Sequence, residues 1–145
     1  MKPESVYIFV EGVPVPKGRP RFARRGKFVT TYTPEKTRDY ETLIEWRGKM
    51  AMGFLSPFDE AIKLVMSINL PIPASMSKKS RALAIMGILR PTKRPDYDNF
   101  AKCLDALNGV VFEDDSQIVD AEISKYYSER PSLEIWIYPA LKPSI

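Results

Sequence analysis

The stretch RPDYDNFAKCLDALNGVVFEDDSQIVD, from Arg94 to Asp120, combines two acidic motifs with one amphipathic segment. Asp96 and Asp98 are two residues apart. If Pro95 keeps the backbone extended, both carboxylates leave the chain on the same side. A second acidic cluster, Glu113 to Asp115, follows a short apolar run. No single ion pair neutralises three adjacent acids, and such a cluster is stable beside a divalent cation.

From Asp98 onward the pattern predicts a short helix. Asp98 is a suitable N-cap, and Asn108-Gly109 is a suitable stop. One apolar stripe recurs at helical spacing, formed by Phe100, Cys103, Leu104 and Leu107. Lys102 lies one turn after Asp98 and roughly opposite this stripe, so its ammonium is predicted to point toward the acids.

Each of these polar residues also has an ordinary structural interpretation. Asp96 and Asp98 could act in a turn or a cap, Asp114-Asp115 could be a solvated loop, and Lys102 could be a surface lysine. Taken together, two acidic pairs and a lysine form a convergent set of the kind that metal-dependent hydrolysis needs. The set therefore favours a functional site over the structural alternative.

The pattern D-x-D-N-x-x-K, followed by an apolar run and D-D-x-Q-I/V, resembles the RusA family of Holliday junction resolvases. Its positions are filled by Asp96, Asp98, Asn99, Lys102, Asp114, Asp115, Gln117 and Ile118. Further likeness, to the phage or prophage type, lies in residues 15–22 (VPKGRPRF) and 77–81 (SKKSR).

This resemblance implies a small homodimeric, Mg²⁺-dependent endodeoxyribonuclease that acts on four-way DNA junctions in recombination and repair. The catalytic residues that it implies are Asp96, Asp98, Lys102 and Asp115. The three aspartates would bind the metal. The family pattern favours Asp115 over Asp114, which stays a possible ligand.

The composition excludes several mechanisms independently of any motif. The chain of 145 residues contains no histidine and one cysteine, Cys103. A Ser-His-Asp triad, a Cys-His pair, a histidine-metal nuclease and an ordinary zinc finger are all impossible. A hydrolase with this composition relies on carboxylates, lysine or arginine and a hard metal ion, which favours magnesium. Cys103 falls on the apolar stripe and is expected to be a buried structural thiol.

Basic residues are concentrated in two stretches, 17–27 and 78–94, each with six basic residues and no acid. A polyanion is the expected partner. The residues assigned to DNA phosphates are Lys17, Arg19, Arg21, Arg24, Arg25, Lys27, Lys78, Lys79, Arg81, Lys93 and Arg94. A disordered basic loop in the first stretch and an ordinary solvated turn in the second remain open alternatives.

Four segments are predicted to be strands. Ser5 to Glu11 is apolar on both faces, which indicates a central or well-covered strand. Ala61 to Leu70 alternates cleanly between apolar and other residues, which is typical of a strand with one face on the core. Ile118 to Tyr127 and Leu133 to Tyr138 are predicted to form an antiparallel pair joined by a turn.

Two helices and a basic hairpin complete the expectation. A long packing helix runs from Thr33-Pro34 to Phe54, with an apolar face formed by Tyr40, Leu43, Ile44, Arg47, Ala51 and Phe54. A short helix capped by Ser75 or Ser77 extends to Met86, and residues 22–32 form a hairpin. The predicted fold is α/β (mixed α+β): a single domain, 1–145, with one mixed sheet of four or five strands and the acidic site on a short helix.

The sequence shows no apolar run that could span a membrane and no signal peptide, so a cytoplasmic protein is expected. Two other functions stay open. The first is a PD-(D/E)xK nuclease using Pro95-Asp96 with Glu122 and Lys125, although acid and lysine are three residues apart and lie on opposite faces of a strand. The second is a decayed, non-catalytic DNA-binding protein of a mobile element.

Overall fold

The computed structural model describes residues 1–17, 21–25, 28–32 and 35–141, with backbone alone for 21–25 and 28–32. Arg19, Lys27 and the predicted cap Thr33-Pro34 lie outside the described residues. In chain order the elements are β1 (Val6–Glu11), β2 (Arg21–Arg25), β3 (Phe28–Tyr32), α1 (Glu35–Met52), β4 (Ile62–Pro71), α2 (Lys78–Ile85), α3 (Tyr97–Ala101), the 3₁₀ helices η1 (Lys102–Leu107) and η2 (Asp115–Gln117), β5 (Ile118–Ser128) and β6 (Ser132–Pro139).

The central sheet has four strands in the order β1-β6-β4-β5. β6 pairs antiparallel with β1 and with β4, whereas β4 and β5 are parallel, so the sheet is mixed as predicted. The alternation predicted for β4 is confirmed, since Ile62, Leu64, Met66 and Ile68 are all buried. β2 and β3 form a separate antiparallel ribbon with Arg25 opposite Phe28, which confirms the basic hairpin.

Two predictions about strand position are wrong. β1 is an edge strand, and its apolar residues on the second face, Tyr7 and Phe9, are 47% and 44% exposed. β5 and β6 are not paired, because β4 lies between them and bonds to both. The three-residue connection 129–131 therefore passes the end of β4, where Pro71 ends the strand.

The core lies between one face of the sheet and the helices. β1, β4 and β6 contribute alternate side chains such as Ile8, Leu64 and Ile135, all fully buried. α1 buries Thr37, Tyr40, Ile44, Gly48 and Met52. The apolar face predicted for this helix is wrong at its end, since Ala51 and Phe54 are exposed. Phe54 lies beyond the helix, because Gly53 at φ +56° ends it.

The long connection between β4 and β5 carries the acidic stretch. Its first helix, α2, is capped by Ser77, whose Oγ accepts a hydrogen bond of 3.2 Å from the Ser80 amide, in agreement with one of the two predicted caps. The apolar run 110–112 turns back under Phe58, and the Phe58 amide donates to the Val111 carbonyl at 2.8 Å. Phe58, Val111 and Phe112 are fully buried, which fixes where the second acidic cluster starts.

The second face of the sheet is more open and holds aromatic side chains. Tyr7 and Trp136 lie side by side with ring centroids 5.2 Å apart, and the Tyr7 hydroxyl donates to Glu134 at 2.8 Å. In the parts of the chain that the structure describes, no helix is long and apolar enough to cross a membrane.

Gly48 allows α1 to lie close to η1, and we expect Gly48→Ala to destabilise the protein. A Cβ at this position would lie 2.6 Å from Leu107 Cδ2, and Leu107 is fully buried and cannot move aside. Overpacking of this kind costs about 1–3 kcal/mol, more than the helix propensity of up to about 1 kcal/mol that alanine adds. Thermal unfolding measures the loss as a lower Tm, by about 2–4 °C per kcal/mol.

Leu107→Ala supplies the matched control, because it removes the atom that the new methyl group would meet. In this background Gly48→Ala is expected to be neutral or stabilising. An equal loss of stability in both backgrounds would contradict close packing at this point.

Candidate metal and phosphate site

Asp96 and Asp98 stand at the start of α3, both exposed to solvent. The helix begins two residues earlier than predicted: Asp96, with φ −68° and ψ 154°, is the N-cap in place of Asp98, which lies in the first turn. The sequence suggested that both carboxylates leave an extended backbone on the same side. This is wrong, because the chain is already helical at Tyr97 and Asp98. Asp96 makes no capping hydrogen bond with its side chain. Helix capping by the side chain, the simplest structural explanation for an aspartate here, therefore does not apply to Asp96.

A cleft beside α3 brings the two carboxylates together with the predicted lysine. Its lining residues are Pro16, Lys17, Pro95, Asp96, Asp98, Asn99 and Lys102. The Lys102 ammonium donates to the Asn99 side-chain oxygen at 3.3 Å. An adjoining cleft shares Pro95, Asp96 and Asn99 and is also lined by Arg94. Two carboxylates, two lysines and an arginine therefore line one small region.

The apolar side of the same segment fixes this arrangement. Phe100, Cys103, Leu104 and Leu107 are all buried, which confirms the predicted stripe. Burial raises the pKa of the Cys103 thiol to about 12, and the thiol lies 2.7 Å from the Phe100 carbonyl oxygen. A thiol that stays protonated is a poor nucleophile, so Cys103 is a packing residue as expected.

The two adjacent aspartates of the second acidic cluster differ in their contacts. Asp114 caps η2: its carboxylate accepts from the Ser116 amide at 3.0 Å, and the Gln117 side chain accepts from the Asp114 amide at 2.8 Å. The hydrogen bond from Ser116 lowers the pKa of Asp114. Gln117 also donates to the carbonyls of Phe58 and Glu60, both at 2.9 Å. Asp115 is exposed and takes no part in these capping hydrogen bonds.

The donor chemistry of the cleft fits a hard divalent cation. Carboxylate and amide oxygens are the ligands that Mg²⁺ prefers, and Asp96, Asp98 and Asn99 supply them. Within the described ranges, neither aspartate forms an ion pair. No three acidic or cysteine side chains of those ranges come close enough together to hold a metal ion. Asp115 lies on η2, beside η1. Its convergence with Asp96 and Asp98 stays a prediction.

Lys17, predicted to contact phosphate, has two carboxylate neighbours in the protein. Its ammonium lies 2.7 Å from Asp105 and 3.2 Å from Glu41, which raise its pKa, and its amide donates to the Asn99 carbonyl at 2.8 Å. The residue thus links the N-terminal segment to η1, α1 and α3. Sequence reasoning missed this role, because Glu41 and Asp105 are far from Lys17 along the chain.

The other predicted phosphate contacts among the described residues lie on α2, in the connection before α3 and on β2. Lys78 and Lys79 are exposed in the first turn of α2, with Arg81 half-buried behind them. Lys93 and Arg94 are exposed just before Asp96. Arg21, Arg24 and Arg25 belong to β2, so the last two lie in the strand and not at a loop tip.

Lys125 entered the sequence analysis only through the alternative PD-(D/E)xK motif, and its contacts indicate a different role. As part of a PD-(D/E)xK motif it would act beside Glu122. Its ammonium instead donates to the main-chain carbonyls of Lys93 and Pro95, at 2.9 and 3.0 Å. No sequence motif is associated with a hydrogen bond to a main-chain carbonyl. In the sequence, Lys125 is therefore only a single lysine within a predicted strand.

Comparison with known proteins gives matches that cover most of the chain. The sequence model described as endodeoxyribonuclease RusA matches residues 11–138, a range that includes the cleft and both acidic motifs. The uncharacterized protein YqaN of Bacillus subtilis (strain 168) is 38% identical over 140 residues, covering 92% of this chain and 96% of that protein. The protein therefore belongs to the RusA endodeoxyribonuclease family.

Proposed function

We propose that this protein is a Mg²⁺-dependent endonuclease that resolves four-way DNA junctions by paired, symmetric nicks. The observation that carries the proposal is the cleft at α3, where Asp96, Asp98 and Lys102 meet in a chain of this family. A cluster of exposed acids beside exposed cations has little structural purpose. It suits a site that must hold both a metal ion and a phosphate.

Asp96, Asp98 and Asp115 are the residues that we assign to the metal. Mg²⁺ held there would supply Lewis acidity and a water molecule of lowered pKa as the nucleophile. Lys102, held by Asn99, stabilises charge that develops on the scissile phosphate or orients the water. Arg94 and Lys93 lie next to the cleft and bind the adjacent phosphates.

Neither alternative gains support. Glu122 and Lys125 both lie on β5, three residues apart, and the lysine bonds to carbonyl oxygens, so they do not form a PD-(D/E)xK pair. A decayed DNA-binding protein would not need carboxylates free of capping bonds and ion pairs next to a lysine. Incubation with a synthetic four-way junction, a flap and a linear duplex, each with Mg²⁺ and with chelator, tests the proposal. Cleavage of the junction alone, in Mg²⁺ alone, is the expected result.

Exchange of any proposed ligand for asparagine is expected to abolish junction cleavage. We expect Asp96→Asn, Asp98→Asn and Asp115→Asn to lower the rate by more than about 100-fold, beyond the range for loss of an outer partner of a metal ligand. Junction binding should persist or tighten, because each change removes a negative charge near a polyanion. Single-turnover cleavage and band-shift titration measure the two effects.

Asp114→Asn is the matched control for Asp115→Asn. Asparagine still accepts the hydrogen bond from the Ser116 amide, so the cap of η2 survives the change. We expect this variant to cleave normally. Full activity of Asp115→Asn together with an inactive Asp114→Asn would move the ligand to the first aspartate.

The basic ribbon is proposed to bind phosphates without taking part in catalysis. Neutralising Arg24, Arg25 and Lys27 together should weaken junction binding. The slope of log affinity against log salt should flatten by roughly 0.9 for each duplex phosphate that the protein no longer neutralises. Neutralising three exposed cations of α1, Lys36, Arg38 and Lys49, removes the same charge and should change the slope less. Equal slopes for both triple variants would mean that the ribbon does not contact DNA.

We propose further that the protein acts as a two-fold symmetric homodimer. A four-way junction has near two-fold symmetry and must be nicked in two strands of like polarity, while the described part of each chain gathers its proposed ligands Asp96 and Asp98 at a single cleft. The open face of the sheet supports an interface, since Tyr7, Phe9 and Trp136 present aromatic surface there. β6 can contribute through this face alone, because both of its edges are paired.

Sedimentation at micromolar concentration is expected to show a dimer, and a cruciform plasmid should be linearised in one binding event. Phe9→Glu should yield a monomer that accumulates singly nicked plasmid, because it places a charge in the proposed interface. Val119→Glu, at an exposed position of the edge strand β5, is the control and should stay dimeric. A monomeric wild-type mass with nicked product would refute the dimer, and a monomer caused only by Val119→Glu would move the interface to the edge of β5.

A further inference from the structure

Lys125 holds the chain segment that leads directly to Asp96. It extends from β5, an edge strand, at the position opposite Ile68 in the parallel register. Residues opposite each other in a ladder share a face, so Lys125 extends from the face that carries the core. Its Nζ donates to the carbonyls of Lys93 and Pro95, at 2.9 and 3.0 Å. These two carbonyls lie on either side of Arg94, and the second belongs to Pro95, the residue directly before Asp96.

A second tie joins the same segment to the same strand. The Arg90 Nε donates to the Lys125 carbonyl at 2.6 Å, and its guanidinium lies 3.8 Å over the Tyr126 ring. The segment 90–95 is therefore attached to β5 at its beginning through Arg90 and at its end through Lys125. Since β5 is paired along its length with β4, an interior strand of the sheet, the attachment reaches the rigid core.

The chemistry of this contact differs from that of a surface ion pair. Lys125 is half-buried, and in the described part of the chain it forms no ion pair with a carboxylate. A lysine that only balanced the acids would be expected to face them. An ammonium that donates to two carbonyls fixes the direction of a turn, because each bond prefers a near-linear geometry. The contact is suited to positioning.

We propose that Lys125 is a positioning residue for Asp96: by binding the carbonyls on both sides of Arg94, it orients the carboxylate that begins α3 toward the metal. The proposal rests on the assignment of Asp96 as a metal ligand. It gives Lys125 no contact with substrate or metal. Loss of its two hydrogen bonds would let residues 93–96 adopt several orientations, and a ligand that must first be ordered binds more weakly.

Calorimetric titration of the protein with Mg²⁺ alone distinguishes a positioning role of Lys125 from a purely electrostatic one. The two roles predict opposite changes in the affinity for Mg²⁺ when Lys125 is replaced by a neutral residue. Removing a cation near the acids, with no other effect, strengthens the binding of Mg²⁺. Loss of positioning weakens it. We expect Lys125→Met to raise the Kd for Mg²⁺ by about 10-fold or more, the range found when the outer partner of a ligand is removed. Lys125→Arg keeps the charge and two donors and should recover part of the affinity.

Lys63→Met is the matched control, since Lys63 is a half-buried lysine of the neighbouring strand β4. It removes the same charge and should leave the Kd unchanged or lower. Thermal unfolding identifies any variant that fails to fold, in which case Lys125→Arg alone carries the comparison. A Kd for Lys125→Met equal to or below that of the wild type would overturn the proposal.

Amide hydrogen exchange supplies a readout that needs no metal. Lys125→Met should speed exchange at residues 96–99 and leave the central strands protected. If the wild-type protein binds no Mg²⁺, the proposed function fails, and exchange alone then decides whether Lys125 orders this segment. Unchanged exchange would overturn the proposal. Faster exchange with an unchanged Kd would also overturn it, since the tie would then be structural only.

Discussion

The parallel pairing of β4 with β5 is the constraint on which the rest of the molecule depends. Parallel neighbours cannot be joined by a tight turn, so the chain must cross over from one end of the sheet to the other. This crossover, residues 72–117, contains α2, α3, both 3₁₀ helices and each of the proposed metal ligands. The acidic cleft is therefore built on a connection that is anchored at both ends in adjacent strands of one sheet.

Local patterns predicted the elements of this fold well and their order poorly. The alternation of β4, the apolar stripe from Phe100 to Leu107 and the cap at Ser77 are all properties of neighbouring residues, and the structure confirms each. The partner of β5 is not such a property. A three-residue connection normally joins paired strands, and nothing local to 129–131 indicates that β4 lies between them. β1 was misplaced for a similar reason, because an aromatic face predicts burial whether or not anything covers it.

The candidate site divides in the same way. The acids and Lys102 could be proposed from spacing and from the lack of histidine, and the structure places Asp96, Asp98 and Lys102 around one cleft. Asp114 caps η2 and Asp115 does not, and the hydrogen bonds that distinguish them are seen only in the three-dimensional structure. Lys17 and Lys125 act through partners distant in sequence or through main-chain carbonyls. Neither kind of contact leaves a pattern of residue types.

Three lysines close to α3 share one property that explains how the cleft keeps its charge. Lys102 bonds to the Asn99 amide, Lys125 bonds to two carbonyls, and Lys17 pairs with Glu41 and Asp105. Within the described residues, each ammonium is thus held by a group other than Asp96 or Asp98. A lysine paired with either aspartate would compete with a divalent cation for its oxygens. Neutral oxygens fix the position of Lys102 and Lys125 without such competition, so the cleft combines fixed cations with carboxylates that remain free to bind a metal.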